Sequence, residues 1–318
     1  MRRGIIAALA AAVALSSACG VDRTQTASDG SSAPTTNENG LLPLPPGYSP
    51  TTGTATPDYS VTPVPTDGPG YTPPSIAAPP TVPGGVTVQL PPGPYVALPD
   101  SYGGIPADGS SGTIPGMGVT VSQPSGPDTA ATCTIGWPVR SNAGRTGFLT
   151  AGHCDKSDGP VSFVSPTGDI QLAADYIGAE QGTGPSGARL DAAFIGLPSD
   201  AVASNRYRTN VTAGVRIAGG LNRDAVRSLP AGTPLCMMGG RAGVTCGPMV
   251  SAGPDVVKWG GYAVKGDSGS GVFLTVRTAN GYDAYAVGLL SSGDTDRSNE
   301  VTYLDDTLSR WGLNLLLT

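Results

Sequence analysis

Histidine occurs once in the 318 residues, as His153, and lysine three times, as Lys156, Lys258 and Lys265. Charged residues make up only 13% of the chain, and the formal net charge is -6. Without a basic cluster there is no face to neutralise phosphates, so no nucleic-acid partner is expected. One imidazole and no Cys-x-x-Cys pair leave zinc without a ligand set, so no metal is expected. The apolar stretch "GIIAALAAAVALSSA" at residues 4–18 is too short to cross a hydrocarbon layer of roughly 30 Å comfortably.

That stretch follows Arg2 and Arg3 and ends in small residues before Cys19, so residues 1–18 read as a signal peptide. The sequence "LSSAC" resembles a bacterial lipobox, although Ser16 stands where leucine is usual. The resemblance implies lipidation of Cys19, with membrane contact only through that anchor. From residue 19 to 118 the chain is rich in proline, glycine and threonine, in pieces such as "LLPLPPGYSPTTG" and "TPVPTDGPGYTPPS". Proline fixes φ and removes a donor, and too little apolar surface clusters here to offset ordering entropy. A disordered tether is expected, averaging about 55 Å end to end if flexible and reaching roughly 300 Å if wholly polyproline II.

Residues 119–318 have another texture. Short apolar or alternating runs ("TCTIGWPV", "TGFLTAG", "AAFIGL", "GVTCGPMV", "GVFLTVRT") are separated by glycine, asparagine, aspartate and proline. Such spacing predicts an all-β domain. Only "TYLDDTLSRWGLNLLL" shows helical spacing, with Leu304, Leu308 and Trp311 on one face. With Cys19 set aside, Cys133, Cys154, Cys236 and Cys246 allow three pairings. A Cys133–Cys154 bridge would close about 22 residues, worth roughly 3 kcal/mol in the chain-entropy model, and would pin His153 to a neighbouring strand.

The lone histidine also has a chemical reading. A serine hydroxyl becomes a useful nucleophile when a nearby imidazole takes its proton, and a carboxylate must then orient that imidazole. "LTAGHC" carries His153, "RLDAAFIGL" sets Asp191 at the start of an apolar strand, and "KGDSGSGVF" flanks Ser268 with glycines. A tight turn there lets the Gly266 and Ser268 amides converge on a developing oxyanion. Each piece alone is commonly structural, but the three together on an exported β domain point to acyl transfer.

"LTAGHC" and "GDSGSG" resemble the two signature blocks of chymotrypsin-fold serine proteases, and above all the bacterial alpha-lytic protease and streptogrisin group. The likeness extends to "TCTIGWPVRSNAGRTGFLTAGHC", "LCMMGGRAGVTCG" and "LSRWGLNLLL", and so covers about residues 130–318. It implies two six-stranded antiparallel β-barrels with a C-terminal helix and the site in the cleft between them. It assigns His153, Asp191 and Ser268 as the triad, pairs Cys133 with Cys154 and Cys236 with Cys246, and places Ser291 behind the aspartate. The edge Ser291, Ser292, Gly293 would pair with substrate backbone, and Val264 and Leu290 would line the primary pocket. With no charge clearly at the pocket base, small or medium apolar side chains are the expected choice; Asp294 would select basic ones if its loop folds inward.

Three departures stand out. Ser270 replaces a second glycine. The loops around "GGYAVKGDSG" and "SSGDTDRSNEV" lack the cysteines that often staple them. Met237 occupies the position where relatives carry a basic residue beside the buried aspartate before the nucleophile, so Arg241, with Lys265 as runner-up, is the expected partner of Asp267. No Ile-Val-Gly-Gly start is present, so activation by an inserted N-terminus is not expected. The resulting expectation is an exported, lipid-anchored, monomeric serine endopeptidase that needs no cofactor. The alternative is a surface binding protein of the same fold.

Overall fold

Runs of four to eight apolar or alternating residues between turn formers bury one face as strands, whereas a helix would need the apolar positions three and four apart. The computed structural model describes residues 42–43, 90–102, 116–126, 129–156, 160–164, 170–204 and 207–318, all within one compact unit, Ala33–Thr318. The leader, Cys19 and most of the tether lie outside the described residues.

The N-terminal half carries β1 (Leu42–Pro43), β2 (Thr120–Gly126), β3 (Thr129–Thr134), β4 (Pro138–Ser141), β5 (Thr146–Thr150), β6 (Val161–Val164), β7 (Ile170–Thr183) and β8 (Arg189–Gly196). Hydrogen-bonded neighbours run β3-β2-β6-β7-β8-β5-β4, with β1 beside β3. Strands β3 and β4 are halves of one bent run, so the ring closes on itself with six strands. Gly136 N–H donates to Leu149 O and Leu149 N–H to Trp137 O, which carries the pairing through the bend.

The C-terminal half carries β9 (Val215–Gly220), β10 (Pro234–Gly239), β11 (Gly243–Ala252), β12 (Val257–Trp259), β13 (Gly271–Thr278), β14 (Gly281–Thr295) and β15 (Ser298–Tyr303). Its order is β13-β10-β11-β12-β15-β14, and the β13–β14 pairing closes a second six-stranded barrel. Strand β9 pairs with β14 in parallel from outside. The chain thus has the two antiparallel barrels that the resemblance implies. Phe148, Phe163 and Ile195 belong to the core of the first; Leu235, Trp259 and Val287 to that of the second. Between them, Trp137 meets Phe273 edge to face and its Nε1–H donates to Gly288 O.

Short helices α1 (Ser199–Ala203) and α2 (Arg223–Arg227) follow β8 and β9, and α3 (Leu304–Trp311) follows β15. Leu304 and Leu308 of α3 are buried, as the spacing requires. The helix stops earlier than "LNLLL" suggests, because Gly312 adopts φ 56° as a left-handed cap. Leu313–Leu315 then forms β16 and pairs with β4, returning the C-terminus to the first barrel.

Residues 90–102, placed in the tether by the sequence reading, lie as a strap against the second barrel. Val96 N–H donates to Thr275 O, Thr275 Oγ1–H returns a bond to Val96 O, and Tyr95 bridges Val276. Leu98 is buried, with its N–H directed at the sulfurs of Cys236 and Cys246. Tyr102 packs edge to face on Tyr282. Strand β10 begins at Pro234, opposite the Leu274–Thr275 end of β13, so the strap covers an edge that β10 leaves bare. Gly116, Met117 and Gly118 are buried as well, so the folded body starts before Val119.

Candidate active site

His153 sits in a 3-10 turn, Gly152–Cys154, between β5 and β6. The Cys133–Cys154 disulfide fastens that turn to β3, and Cys236–Cys246 joins facing residues of β10 and β11. Both bridges are those the resemblance implies. Cys133, His153 and Cys154 offer donor atoms within 4.8 Å of one another, but the two sulfurs are bonded to each other and provide no thiolate.

Asp191 projects from β8 and is almost wholly buried. Its Oδ1 accepts the His153 backbone N–H at 2.8 Å, and its Oδ2 faces His153 Nδ1 at 2.8 Å. Ser291 on β14 donates its hydroxyl to the same Oδ2 at 2.6 Å. Burial pushes this carboxyl up, but the hydrogen bonds from His153 and Ser291 and the charge of the imidazole outweigh it and hold Asp191 below the usual aspartate range. A carboxylate there keeps the ring proton on Nδ1 and leaves the Nε2 lone pair for a base. The His153 side chain retains 29% exposure, enough to meet a substrate.

Ser268 lies in the turn before β13, partly exposed. Gly269 has φ 87°, and a Cβ there would come within 2.0 Å of Thr150 Oγ1 and 2.6 Å of Ala151 N; only glycine lets this turn press against the segment leading to His153. Thr134, fully buried at the end of β3, clamps the turn from the first barrel. Its N–H donates to Ser268 O at 2.8 Å and its Oγ1–H to Gly266 O at 2.7 Å, while Gly240 N–H donates to Oγ1. Within the turn the amides of Asp267, Gly269 and Ser270 all have carbonyl acceptors. Among the described residues those of Gly266 and Ser268 have none, as an oxyanion-binding pair requires. Nor does a hydrogen bond join Ser268 Oγ to His153 among the described residues. Such contacts are often long in resting enzymes and tighten with substrate.

Asp267 is fully buried. The expected Arg241 side-chain pair is not what holds it. Its Oδ1 accepts the backbone N–H groups of Arg241 at 2.8 Å and Ala242 at 3.1 Å, and its Oδ2 that of Val264 at 2.9 Å. No ion pair reaches it among the described residues. Burial raises this carboxyl above the usual range; the three amides and, last, the Arg241 charge pull the other way without cancelling it.

A pocket of about 540 Å³ opens beside Ser268. Its walls include Val264, Leu290, Ser291, Ser292 and Gly293, every residue expected to bind substrate, together with Asp294, Asp296 and Asn299. The missing staple has substitutes. Ala263 N–H donates to Asp296 O, Asn299 Nδ2–H to Gly261 O, and the Arg297 guanidinium lies 5.7 Å above the Tyr262 ring. Arg189 Nη1 pairs with Glu300 Oε2 at 2.5 Å, and its Nη2 reaches Ser291 Oγ and Ser292 Oγ. Thr134, Arg189 and Asn299 escaped the sequence reading. Thr134 adjoins a recognised cysteine in "TCTIGW", whereas Asn299 in "RSNEV" carries no local signal.

Comparison with family models gives no match, and none is found among curated proteins. Among solved structures the chain is similar to Thermobifida fusca protease A, with TM-score 0.45 and 21% identity over 64% of this chain and 99% of that one. It is similar also to Nocardiopsis protease, with TM-score 0.42 and 20% identity over 64% and 98%, and to Cellulomonas bogoriensis chymotrypsin, with TM-score 0.38 and 19% identity over 58% and 91%. Likenesses at this level carry no functional argument.

Proposed function

We propose that this protein is an exported serine endopeptidase. The observation that carries the reading is the hydrogen-bonded series Ser291, Asp191, His153, together with a serine turn whose Gly266 and Ser268 amides are left without acceptors. Ser268 Oγ attacks the substrate carbonyl carbon as His153 Nε2 takes its proton, and the carbonyl oxygen becomes an oxyanion held by those two amides. Collapse breaks the C–N bond, and the proton passes from His153 to the leaving amine. Water then attacks the acyl-enzyme by the same route and restores Ser268. Asp191 stays ionised throughout and stabilises the imidazolium. Ser291, Ser292 and Gly293 receive substrate backbone as an added strand, and no cofactor enters these steps.

Residues 1–18 act as a lipoprotein signal peptide, Cys19 carries the anchor, and the segment between it and the strap is a tether. Two disulfides suit an oxidising compartment outside the cytoplasm. No helix among the described residues is long and apolar enough to cross a membrane. Casein hydrolysis tests the chemistry: Ser268→Ala and His153→Ala should each lose several orders of magnitude in turnover with unfolding unchanged, and near-parental turnover in either overturns it. Detergent partitioning tests the anchor, which Cys19→Ser should abolish; equal partitioning of both forms leaves ordinary signal cleavage.

A further inference from the structure

The pocket beside Ser268 was expected to take small or medium apolar side chains, yet its inner wall is polar. Asn299 on β15 is only 6% exposed and faces Gly293 directly across the β14–β15 ladder. Its Nδ2–H donates to Gly261 O at 2.7 Å. A carbonyl can only accept, so the amide cannot be reversed, and the side-chain oxygen points the other way. A Cβ on Gly293 would stand 2.5 Å from that oxygen, so the oxygen lies over the one position of the substrate edge that has no side chain to cover it. Among the described residues no donor reaches Asn299 Oδ1.

Such an acceptor, nine-tenths buried and aimed into a cavity, loses its water when an apolar group fills the space, and an unmet buried acceptor disfavours that complex. A side chain ending in N–H satisfies it instead. The charges around the same cavity point the same way. Among the described residues, Asp294 and Asp296 line it together with a single cation, Lys265, so a carboxylate entering it meets net negative charge.

Resting on the peptidase reading, we propose that Asn299 is a specificity-determining residue of this chain. It selects substrates whose residue on the acyl side of the cut bond ends in an N–H donor (lysine, arginine or glutamine) over apolar and acidic ones. A site that hydrogen-bonds its substrate rejects analogues lacking the donor far more strongly than an apolar pocket discriminates between sizes.

The experiment is a series of peptides identical except at that residue, carrying lysine, arginine, glutamine, leucine, phenylalanine or glutamate. Wild-type protein should cleave the three donors with kcat/KM at least about tenfold above leucine, and glutamate least of all. Asn299→Leu should collapse or reverse that ratio. Gly293→Ala, whose methyl would come within 2.5 Å of Asn299 Oδ1 and so displace that amide, should also lose the donor preference through kcat/KM. A wild-type preference for leucine or phenylalanine, or an unchanged ratio in Asn299→Leu or Gly293→Ala, overturns the assignment. Reaction with a fluorophosphonate, which presents no peptide side chain, separates the two levels. Labelling with an apolar preference defeats Asn299 alone, whereas no labelling defeats the peptidase reading and this one with it.

Discussion

Asp191 on β8 and Asp267 in the turn before β13 are both buried carboxylates, one in each barrel, and burial alone would raise both. Only Asp267 ends above the usual range; Asp191 ends below it. The difference lies in the donors. Besides the His153 backbone N–H, Asp191 meets side chains from separate elements, one of them an imidazole whose charge changes during the proposed reaction, so its ionised form is stabilised when proton transfer needs it. Asp267 meets three backbone amides fixed by the β10–β11 turn and the pocket wall. Those amides hold the nucleophile turn in place but add no full charge. On the proposed reading, the two aspartates then divide by what donates to them into one for chemistry and one for architecture.

The widest test of that division is Asp191→Asn. An amide in its place lets the imidazole adopt the wrong tautomer, and turnover should fall by about 10⁴, far beyond what the accompanying loss of stability explains. An Asp267→Asn protein should show the reverse balance. Its NH₂ would confront either the Val264 N–H or the Arg241 and Ala242 pair, costing about 1–3 kcal/mol in urea unfolding. Activity should drop with stability because the Val264 wall and the Ser268 turn shift together. Comparable behaviour of the two variants would erase the distinction.

Acidity sharpens the comparison. A raised folded-state value means that Asp267 takes up its proton more readily when folded. Its contribution to stability is fully present below the unfolded value of 3.8 and is lost as pH rises through the folded one. The contribution of Asp191 has the opposite sense: present above 3.8, it is lost as pH falls through its depressed folded value. As pH is lowered, urea unfolding should therefore show Asp267→Asn missing a gain that is complete by 3.8 and Asp191→Asn missing a loss that sets in below it; matching profiles contradict the assigned directions. The smallest effect belongs to Ser270, whose buried hydroxyl has no partner among the described residues. Ser270→Ala should leave stability unchanged or raise it by up to about 1 kcal/mol, and a clear loss would show that the hydroxyl is satisfied.

Local signals carried much of this. The blocks that carry His153, Asp191 and Ser268 are short and distinctive in sequence, and the alternation of apolar runs gave the strands, whereas their closure into two barrels came only with the family resemblance. What stayed hidden depends on contacts distant in sequence. The amides that hold Asp267 come from a turn about 26 residues upstream and from the pocket wall, and nothing in "RAG" marks its backbone as a ligand for a carboxylate; charge alone suggested the Arg241 side chain. Asn299 becomes meaningful only opposite Gly293 across a ladder. Residues 90–102 carry the proline and glycine of a linker, yet Leu98 and Tyr102 find an apolar surface that only the finished second barrel provides.

The central claim is that Ser268 is a nucleophile activated through His153 and Asp191. The most direct measurement is intact-protein and peptide mass spectrometry after brief exposure to a fluorophosphonate. One adduct per chain, located on Ser268 and formed at least about 10³-fold more slowly in His153→Ala, is the predicted result. An unmodified Ser268, or an adduct that forms equally fast without His153, would contradict it.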